Sequence, residues 1–124
     1  MSLDSSMQEQ ALKGVRILDF THVYQGPACT QLLADFGADV IKVERPGMGD
    51  WSRQWGPFVG DVSLPFAGLN RNKRSLALNL KDDRGLQIMH KLVTQSDVLV
   101  HNFRPGAMEK LGLGYDDASR LNPR

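Results

Sequence analysis

A short apolar run, a helical apolar stripe and a second short apolar run follow one another within about 30 residues, and this order constrains the fold more than any other feature. The first run, Val15–Phe20, and the second, Val40–Glu44, are typical of buried strands. Between them, Pro27 suits the first position of a helix, and Gly37 suits the left-handed residue that ends one. The pattern predicts a βαβ unit with parallel strands and a right-handed crossover. The stripe has the i, i+3, i+4, i+7 spacing of a buried helix face, so we expect its members in the core: Cys29, Leu32, Leu33 and Phe36.

The alternation of strands and helices continues along the chain. Ser75–Leu80 and Asp97–His101 predict two further strands. Asp82 or Asp83 can cap the helix between them, because a carboxylate accepts from the free N–H groups of a first turn. Two short helices are predicted at 107–111 and 116–121. The apolar face of the helix between the strands consists of Leu86, Met89 and Val93, with Ile88 and Leu92 beside it.

These elements predict an α/β fold, a Rossmann-like domain with a mainly parallel sheet and helices on both faces. We expect residues 14–124 to form the domain and residues 1–13 to form a leader or tail. Because a parallel sheet is normally covered on both faces and the chain stops after a helix, we expect a truncated domain; a complete small flavodoxin-like domain is the alternative. The segment Pro46–Leu64 is expected to be a long loop. Four aromatic residues are expected to anchor it, or else to line an acyl pocket: Trp51, Trp55, Phe58 and Phe66.

Composition narrows the classes of function. Hydrophobic residues make up 41% and charged residues 23%, which is ordinary for a globular protein. No stretch reaches the roughly 20 apolar residues of a membrane span, the first residues lack an apolar signal-peptide core, and one cysteine fits a reducing compartment. We therefore expect a cytoplasmic protein without a membrane partner. One cysteine and three scattered histidines give no metal-ligand spacing, and a net charge of +1 does not indicate a nucleic-acid partner.

The charges are unevenly distributed. Residues 42–81 contain seven basic and three acidic residues, a local bias toward an anionic ligand. A solvated basic surface is the alternative, and it applies equally to the basic loop Asn70–Ser75. Asp19 and Asp35 are isolated carboxylates in the sequence, without a pairing that would indicate acid–base chemistry. The seven basic residues are Lys42, Arg45, Arg53, Arg71, Lys73, Arg74 and Lys81.

The segments that follow the four predicted strands are the candidate binding loops. In open α/β sheets, ligands bind beyond the carboxyl ends of the strands. Polar or cationic side chains follow every one of these strands, which suits a ligand that carries phosphates and a ring. His22 could also line such a site. The segments are Val23–Pro27, Arg45–Pro46, Asn79 with Lys81, and Asn102–Gly106.

A nicotinamide dinucleotide is the rival ligand, because Glu44 ends the second strand as an acidic residue does in dinucleotide-binding folds. However, the Gly-x-Gly-x-x-Gly fingerprint is absent. The loop after the first strand has one glycine, Gly26, for approach of a pyrophosphate. Arg45, directly after Glu44, suits a phosphate better than a ribose hydroxyl.

Four stretches together resemble family III CoA-transferases, a family that includes formyl-CoA transferases, carnitine CoA-transferases and α-methylacyl-CoA racemases. The resemblance runs from about Gly14 to Pro123. The resemblance depends on the order and spacing of all four stretches, because no single stretch is specific to the family. The stretches are Leu18–Val23 with Gly26-Pro27, Phe36–Arg45, Asn72–Ser75 with Leu78–Lys81, and Asn102–Gly106.

This resemblance implies a set of CoA-contacting residues. Arg45 is implied at the nucleotide end, and Leu78–Lys81 at the adenine and phosphates. Lys110 stands where the formyl-CoA type carries an arginine; it keeps the charge but loses the planar fork. Tyr24 stands where the formyl-CoA type has a glutamine near the reacting carbonyl, so the resemblance does not fix the acyl specificity. The implied residues are Val23, Tyr24, Gln25, Arg45, Leu78, Asn79, Lys81, Asn102, Phe103, Arg104 and Lys110.

The resemblance implies an enzyme that moves CoA between an acyl-CoA thioester and a carboxylic acid. CoA and acyl-CoA would be substrates, with no permanently bound cofactor. The nucleophilic aspartate of the family would come after Arg124, so this chain is expected to bind CoA and to be inactive alone. The resemblance also implies an interlocked homodimer. A racemase of the same family and a non-catalytic nucleotide-binding module remain alternatives, and the sequence does not name the acyl donor or acceptor.

Overall fold

The computed structural model describes residues 10–124. Most of the predicted leader, residues 1–9, lies outside this range. In its described part, Leu12 packs beside the core and its N–H donates to the Phe36 carbonyl at 2.9 Å. The strands are β1 Arg16–Asp19, β2 Asp39–Glu44, β3 Phe58–Val59, β4 Val62–Ser63, β5 Arg74–Ala77 and β6 Val98–Val100. The helices are α1 Gln25–Asp35, α2 Leu64–Asn70, α3 Asp83–Val93, α4 Ala107–Lys110 and α5 Tyr115–Leu121, with a 3-10 helix at Trp51–Gln54.

Four strands form one parallel sheet in the order β5-β2-β1-β6. β3 and β4 form a separate antiparallel hairpin. The α/β class and the parallel sheet predicted from the sequence are confirmed. Because β1 and β2 lie at the centre of the sheet, the loops that follow them are adjacent at its carboxyl edge.

Side chains alternate between the two faces of the sheet, as the period of a strand requires. On one face, Leu18 and Phe20 of the first strand region pack with Met89 and Val93 of α3. On the other face, Ile17 packs with residues of α1 and β2. The prediction of helices on both faces is therefore confirmed.

Helix α1 presents a different face to the sheet from the one predicted. Its buried residues are Pro27, Thr30, Gln31 and Ala34. Leu32 and Phe36 are 55% and 57% exposed, and Cys29 is exposed as well, so the placement of these three residues in the core was wrong. The Thr30 hydroxyl donates to the buried Asp19 carboxylate at 2.7 Å, and this polar contact selects the buried face. The helix begins at Gln25, two residues before the predicted start at Pro27.

Other predictions about helix ends are confirmed. Gly37 has φ +99°, the left-handed value that closes α1. Asp82 caps α3, and its Oδ1 accepts from the N–H groups of Arg84 and Gly85 at 3.0 and 3.3 Å. Asn122 ends α5.

The segment after β2 is more ordered than the predicted long loop. It contains the 3-10 helix and the β3–β4 hairpin, and α2 starts where the loop was expected to end. The side chain of Ser63 caps α2, accepting from the Phe66 N–H at 3.3 Å. A helix of seven residues has too few positions for its apolar period to be distinguished in the sequence.

Candidate functional site

The carboxyl edge of the sheet carries a cleft of about 930 Å³. Residues from the loops after all four parallel strands line it, which is the placement expected in an open α/β sheet. Eight of the eleven predicted CoA-contacting residues lie in this lining. They are Val23, Arg45, Leu78, Asn79, Lys81, Asn102, Phe103 and Arg104.

Three predicted residues lie outside the lining of the cleft. Tyr24 precedes α1 and is 62% exposed, and Gln25 is the first residue of that helix. Lys110, the last residue of α4, is also exposed. The structure does not bring these three side chains to the surface of the cleft.

The cations of the cleft differ from the other cations of the basic segment. Five of the seven basic residues between 42 and 81 form ion pairs with carboxylates at 2.7–3.0 Å. Arg45 and Lys81, the remaining two, both line the cleft, and neither has a carboxylate within 4 Å among residues 10–124. The same holds for Arg104. The basic residues of this segment outside the cleft are therefore paired with carboxylates of the same chain, although Arg71 and Arg74 remain solvent-exposed. The two basic residues of this segment that are left over both line the cleft.

Asn102 fastens two loops of the cleft together. Its side-chain Oδ1 accepts from the His22 N–H at 2.9 Å, and its Nδ2 donates to the His22 carbonyl at 2.8 Å. The His22 ring stacks on Phe103 with 5.5 Å between ring centroids. The loop after β1 and the loop after β6 are therefore held in register by a reciprocal amide contact and a ring stack. The Asn102 side chain is committed to this contact, a role that sequence reasoning did not identify.

Val23 adopts a backbone conformation that is unusual for a β-branched residue. Its φ is +76°, in the left-handed region that branched side chains disfavour. Its N–H donates to Asp50 Oδ1 at 3.2 Å, and Asp50 is fully buried. Lys42 pairs with the other Asp50 oxygen at 2.9 Å. The strained turn that leads into α1 is thus held by a buried ion pair.

The charge on Asp50 is stabilised within the protein. Burial raises the pKa of this carboxyl, but hydrogen bonds from Ser52 and the ammonium of Lys42 outweigh burial and hold the pKa below its usual value. His22 Nδ1 lies 3.9 Å from Asp50 Oδ2. Burial lowers the pKa of His22 more than the charge of Asp50 raises it, so the imidazole is neutral at pH 7.

Glu44 is the one carboxylate among the described residues that line the cleft, and its charge is already neutralised by Arg53. It is 4% exposed, and Arg53 donates to its two oxygens at 2.8 and 2.7 Å. The Asp50 N–H also donates to it, at 2.8 Å. Burial raises the pKa of Glu44, but these bonds outweigh burial and lower it below the usual value. Glu44 therefore has little capacity to bind the ribose hydroxyls of a dinucleotide.

A second fully buried ion pair lies beneath α1. Lys73 Nζ contacts Asp19 Oδ2 at 3.0 Å and also the Pro27 carbonyl, the Thr30 hydroxyl and the Asn70 side-chain oxygen at 2.8–2.9 Å. Asp19 is fully buried. In the sequence the two residues are 54 positions apart. Lys73 belongs to the basic loop, and Asp19 is one of the isolated carboxylates. Their pairing was missed because it depends on α2, which brings the loop back under α1.

Two glycines permit close approaches at the edge of the cleft. A Cβ on Gly26 would lie 2.3 Å from the Thr21 Cβ, so this glycine lets the first turn of α1 approach the end of β1. A Cβ on Gly85 would lie 2.0 Å from the Asn79 carbonyl oxygen. Gly85 therefore lets α3 pack directly against the loop that carries Asn79.

No three His, Cys, Asp or Glu side chains in residues 10–124 come together as a metal site would require. None of the helices described is both long and apolar enough to pass through a membrane.

Comparison with known sequences gives a family match over nearly the whole described chain. The model of the family described as CoA-transferase family III matches residues 12–124. A succinyl-CoA:glutarate CoA-transferase from Mus musculus is 52% identical over 113 residues, which is 90% of this chain and 26% of that protein. A formyl-CoA:oxalate CoA-transferase from Bradyrhizobium sp. (strain ORS 278) is 52% identical over 116 residues, 93% of this chain and 27% of that protein. The chain thus spans about a quarter of the length of these relatives.

Comparison with solved structures agrees with the sequence match. A CAIB/BAIF family protein from Brucella suis superposes with a TM-score of 0.86 at 36% identity, over 93% of this chain and 32% of that one. A hypothetical protein from Mycobacterium tuberculosis superposes with a TM-score of 0.85 at 45% identity, over 92% of this chain and 31% of that one.

Proposed function

Because the chain belongs to CoA-transferase family III, we propose that its cleft binds the nucleotide part of a CoA thioester for an enzyme that transfers CoA to a carboxylic acid. The two curated relatives compared above are a succinyl-CoA:glutarate and a formyl-CoA:oxalate CoA-transferase, which act on CoA thioesters of organic acids. In this proposal CoA and acyl-CoA are substrates and not permanently bound cofactors.

One observation carries the proposal, namely that three cations without a carboxylate partner among residues 10–124 line the same cleft. Arg45, Lys81 and Arg104 line one cleft and have no carboxylate within 4 Å in the described chain. The nucleotide end of CoA carries a diphosphate and a ribose phosphate, so its charge is complementary to three such cations. A guanidinium can bind a phosphate through two parallel hydrogen bonds, which gives the two arginines a role in orientation as well as in attraction.

Apolar surface in the same cleft supports a ligand with a ring. Leu78 and Phe103 are partly buried and line the cleft beside these cations. We assign them to the nucleoside, with Val23 and Asn79 contributing backbone and polar contacts. Tyr24, Gln25 and Lys110, which lie outside the lining of the cleft, are assigned to the acyl end and to the outer edge of the bound molecule.

The chemistry of transfer requires a carboxylate nucleophile, and the cleft does not offer one. Glu44 is held by Arg53 and is nearly inaccessible. We propose that the nucleophilic aspartate follows residue 124 in a longer protein, so that residues 10–124 bind CoA without catalysing the reaction. That carboxylate would attack the thioester carbonyl, form a mixed anhydride and release the CoA thiolate, which splits one difficult step into two. An interlocked homodimer in the cytoplasm is the assembly and location we propose for the longer protein.

Calorimetric titration of the chain with CoA, and with NADPH for comparison, tests the proposed function. We expect CoA to bind and NADPH to bind at least tenfold more weakly, because the loop after β1 lacks the Gly-x-Gly-x-x-Gly fingerprint that lets a backbone approach the pyrophosphate of a dinucleotide. Preferential binding of NADPH, or no binding of CoA, would contradict the proposal.

A variant of one cation makes the test specific to the cleft. Arg45→Ala should weaken CoA binding by roughly 1.5–3 kcal/mol, the range for a hydrogen bond to a charged group. Arg71→Ala is the matched control, since it removes an arginine that is paired with Asp35 away from the cleft. An equal effect of both variants would show that bulk charge, and not the cleft, binds CoA.

A further inference from the structure

Trp51 is a large aromatic residue whose exposure is not explained by packing. It is 61% exposed and lines the cleft. An exposed large apolar side chain in a concave site is informative, because burying an indole is strongly favourable and folding has not done so. From the sequence, two roles stayed open for Trp51, namely anchoring the segment after β2 and lining an acyl pocket, and in the structure other residues do the anchoring.

The anchor of this segment is polar and lies next to Trp51. Asp50 caps the 3-10 helix, accepting from the Ser52 N–H at 2.9 Å. Arg53 binds Glu44 and also stacks over the Phe66 ring at 3.7 Å from its centroid. The residues before and after Trp51 are therefore fixed, while the indole itself remains accessible.

An accessible indole on an anchored backbone is prepared to bind a planar group in the cleft. Its support is ordered before any ligand arrives, so little conformational entropy is lost when a ring stacks on it. Arg45 lines the same cleft and has no carboxylate partner. An aromatic face together with a cation suits a ring that carries phosphate.

We propose that Trp51 stacks on the adenine ring of bound CoA. This inference depends on the proposed function and adds a residue to it that the family resemblance did not imply. In CoA the adenine and the ribose phosphate belong to the same nucleotide and therefore bind close together. Because Arg45 is proposed to bind the phosphate, Trp51 in the same cleft is placed to stack on the adenine. The pantetheine arm is flexible and has no ring, so it gains less from an indole face.

Single-tryptophan variants test the assignment. The chain has two tryptophans, and Trp55 is not among the residues that line the cleft. Trp55→Phe leaves Trp51 as the fluorophore, and adenosine 3′,5′-bisphosphate should quench its emission whereas pantetheine should not. By calorimetry, Trp51→Ala should weaken binding of adenosine 3′,5′-bisphosphate at least about fivefold, as for loss of a base-stacking aromatic residue. Trp51→Phe should retain most of the affinity, and Trp55→Ala all of it.

Each other outcome has a definite meaning. If CoA binds but adenosine 3′,5′-bisphosphate neither quenches Trp51 nor loses affinity in Trp51→Ala, the stacking assignment is wrong and the proposed function stands. Quenching by pantetheine alone would place Trp51 on the arm and overturn the assignment in the same way. If CoA itself does not bind the unaltered chain, both the assignment and the proposed function fail.

Discussion

Replacement of Lys73 by methionine should destabilise the fold more than the loss of any surface charge. Methionine approximates the length of the lysine stem but leaves the fully buried Asp19 without its cation. Removal of one partner from a buried ion pair typically costs about 3–5 kcal/mol. Asp19 would keep hydrogen bonds from Thr21 and Thr30, which partly satisfy the carboxylate. We therefore expect a loss near the lower limit, about 3 kcal/mol of unfolding free energy, a large fraction of the roughly 5–15 kcal/mol that holds a domain together.

Urea denaturation followed by circular dichroism at pH 7 measures this loss. Arg120→Met is the control, because the Arg120 side chain is 75% exposed and its pair with Asp117 should contribute less than about 1 kcal/mol. The double variant Lys73→Met with Asp19→Asn removes both charges and should recover about 1–2 kcal/mol relative to the single variant. A loss in Lys73→Met no larger than that in the control would refute the idea that this pair is a buried and mutually dependent unit.

The same variant should change how stability depends on pH. In the unaltered chain, burial raises the pKa of Asp19, but the Thr21 hydrogen bond and the charge of Lys73 outweigh burial and hold the pKa below its usual value. A depressed folded-state pKa contributes stability above the unfolded pKa, and this stability is lost as the pH falls through the folded pKa. Without Lys73 the pKa of Asp19 rises, so the deficit of the variant should be largest near pH 7 and should shrink below about pH 4.

Two further changes probe the edge of the cleft. Gly85→Ala should cost about 1–3 kcal/mol in urea denaturation, because its Cβ would lie 2.0 Å from the Asn79 carbonyl oxygen; an unchanged midpoint would mean that α3 can move away freely. Asn102→Asp keeps an acceptor for the His22 N–H, but its second carboxylate oxygen would face the His22 carbonyl oxygen, so two acceptors would repel each other. We expect calorimetry to show CoA binding weakened by about 1–3 kcal/mol. Unaltered affinity in Asn102→Asp would show that this contact does not position the loops of the cleft.

The elements with an apolar period were predictable, and those selected by polar contacts were not. Val40–Glu44 and the Asp82 cap could be identified because an apolar run and a capping carboxylate are local signals. The buried face of α1 was predicted wrongly because apolar periodicity indicated Leu32, whereas the helix turns Thr30 toward a buried carboxylate. The Asp19 carboxylate can be buried, and so select this face of α1, only because Lys73, which is remote in the sequence, lies beside it.

The candidate site was predictable to the extent that it depends on strand ends. Seven residues singled out from the loops after the strands do line one cleft, because parallel strands end at a common edge. The eighth, Leu78, was implied only by the family resemblance. The reciprocal contact of Asn102 with His22 and the accessible indole of Trp51 were not predictable, since both depend on the relative positions of loops. Whether the eight residues contact CoA stays a prediction.

The buried ammonium of Lys42 also bears on the alignment of the sheet. Lys42 is paired in register with Asp19 of β1, and both side chains lie on the face that α1 covers. A slip of β2 by one residue would turn Lys42 to the opposite face, among the apolar cluster of Phe20 and Met89 and away from its partner Asp50. Such a misaligned sheet would bury an unpaired charge, at a cost of several kcal/mol. The pair of Lys42 with Asp50 therefore also excludes the nearest misaligned competitor. A neutral replacement of Lys42, besides leaving Asp50 without its cation, should yield a chain that aligns its strands less uniquely.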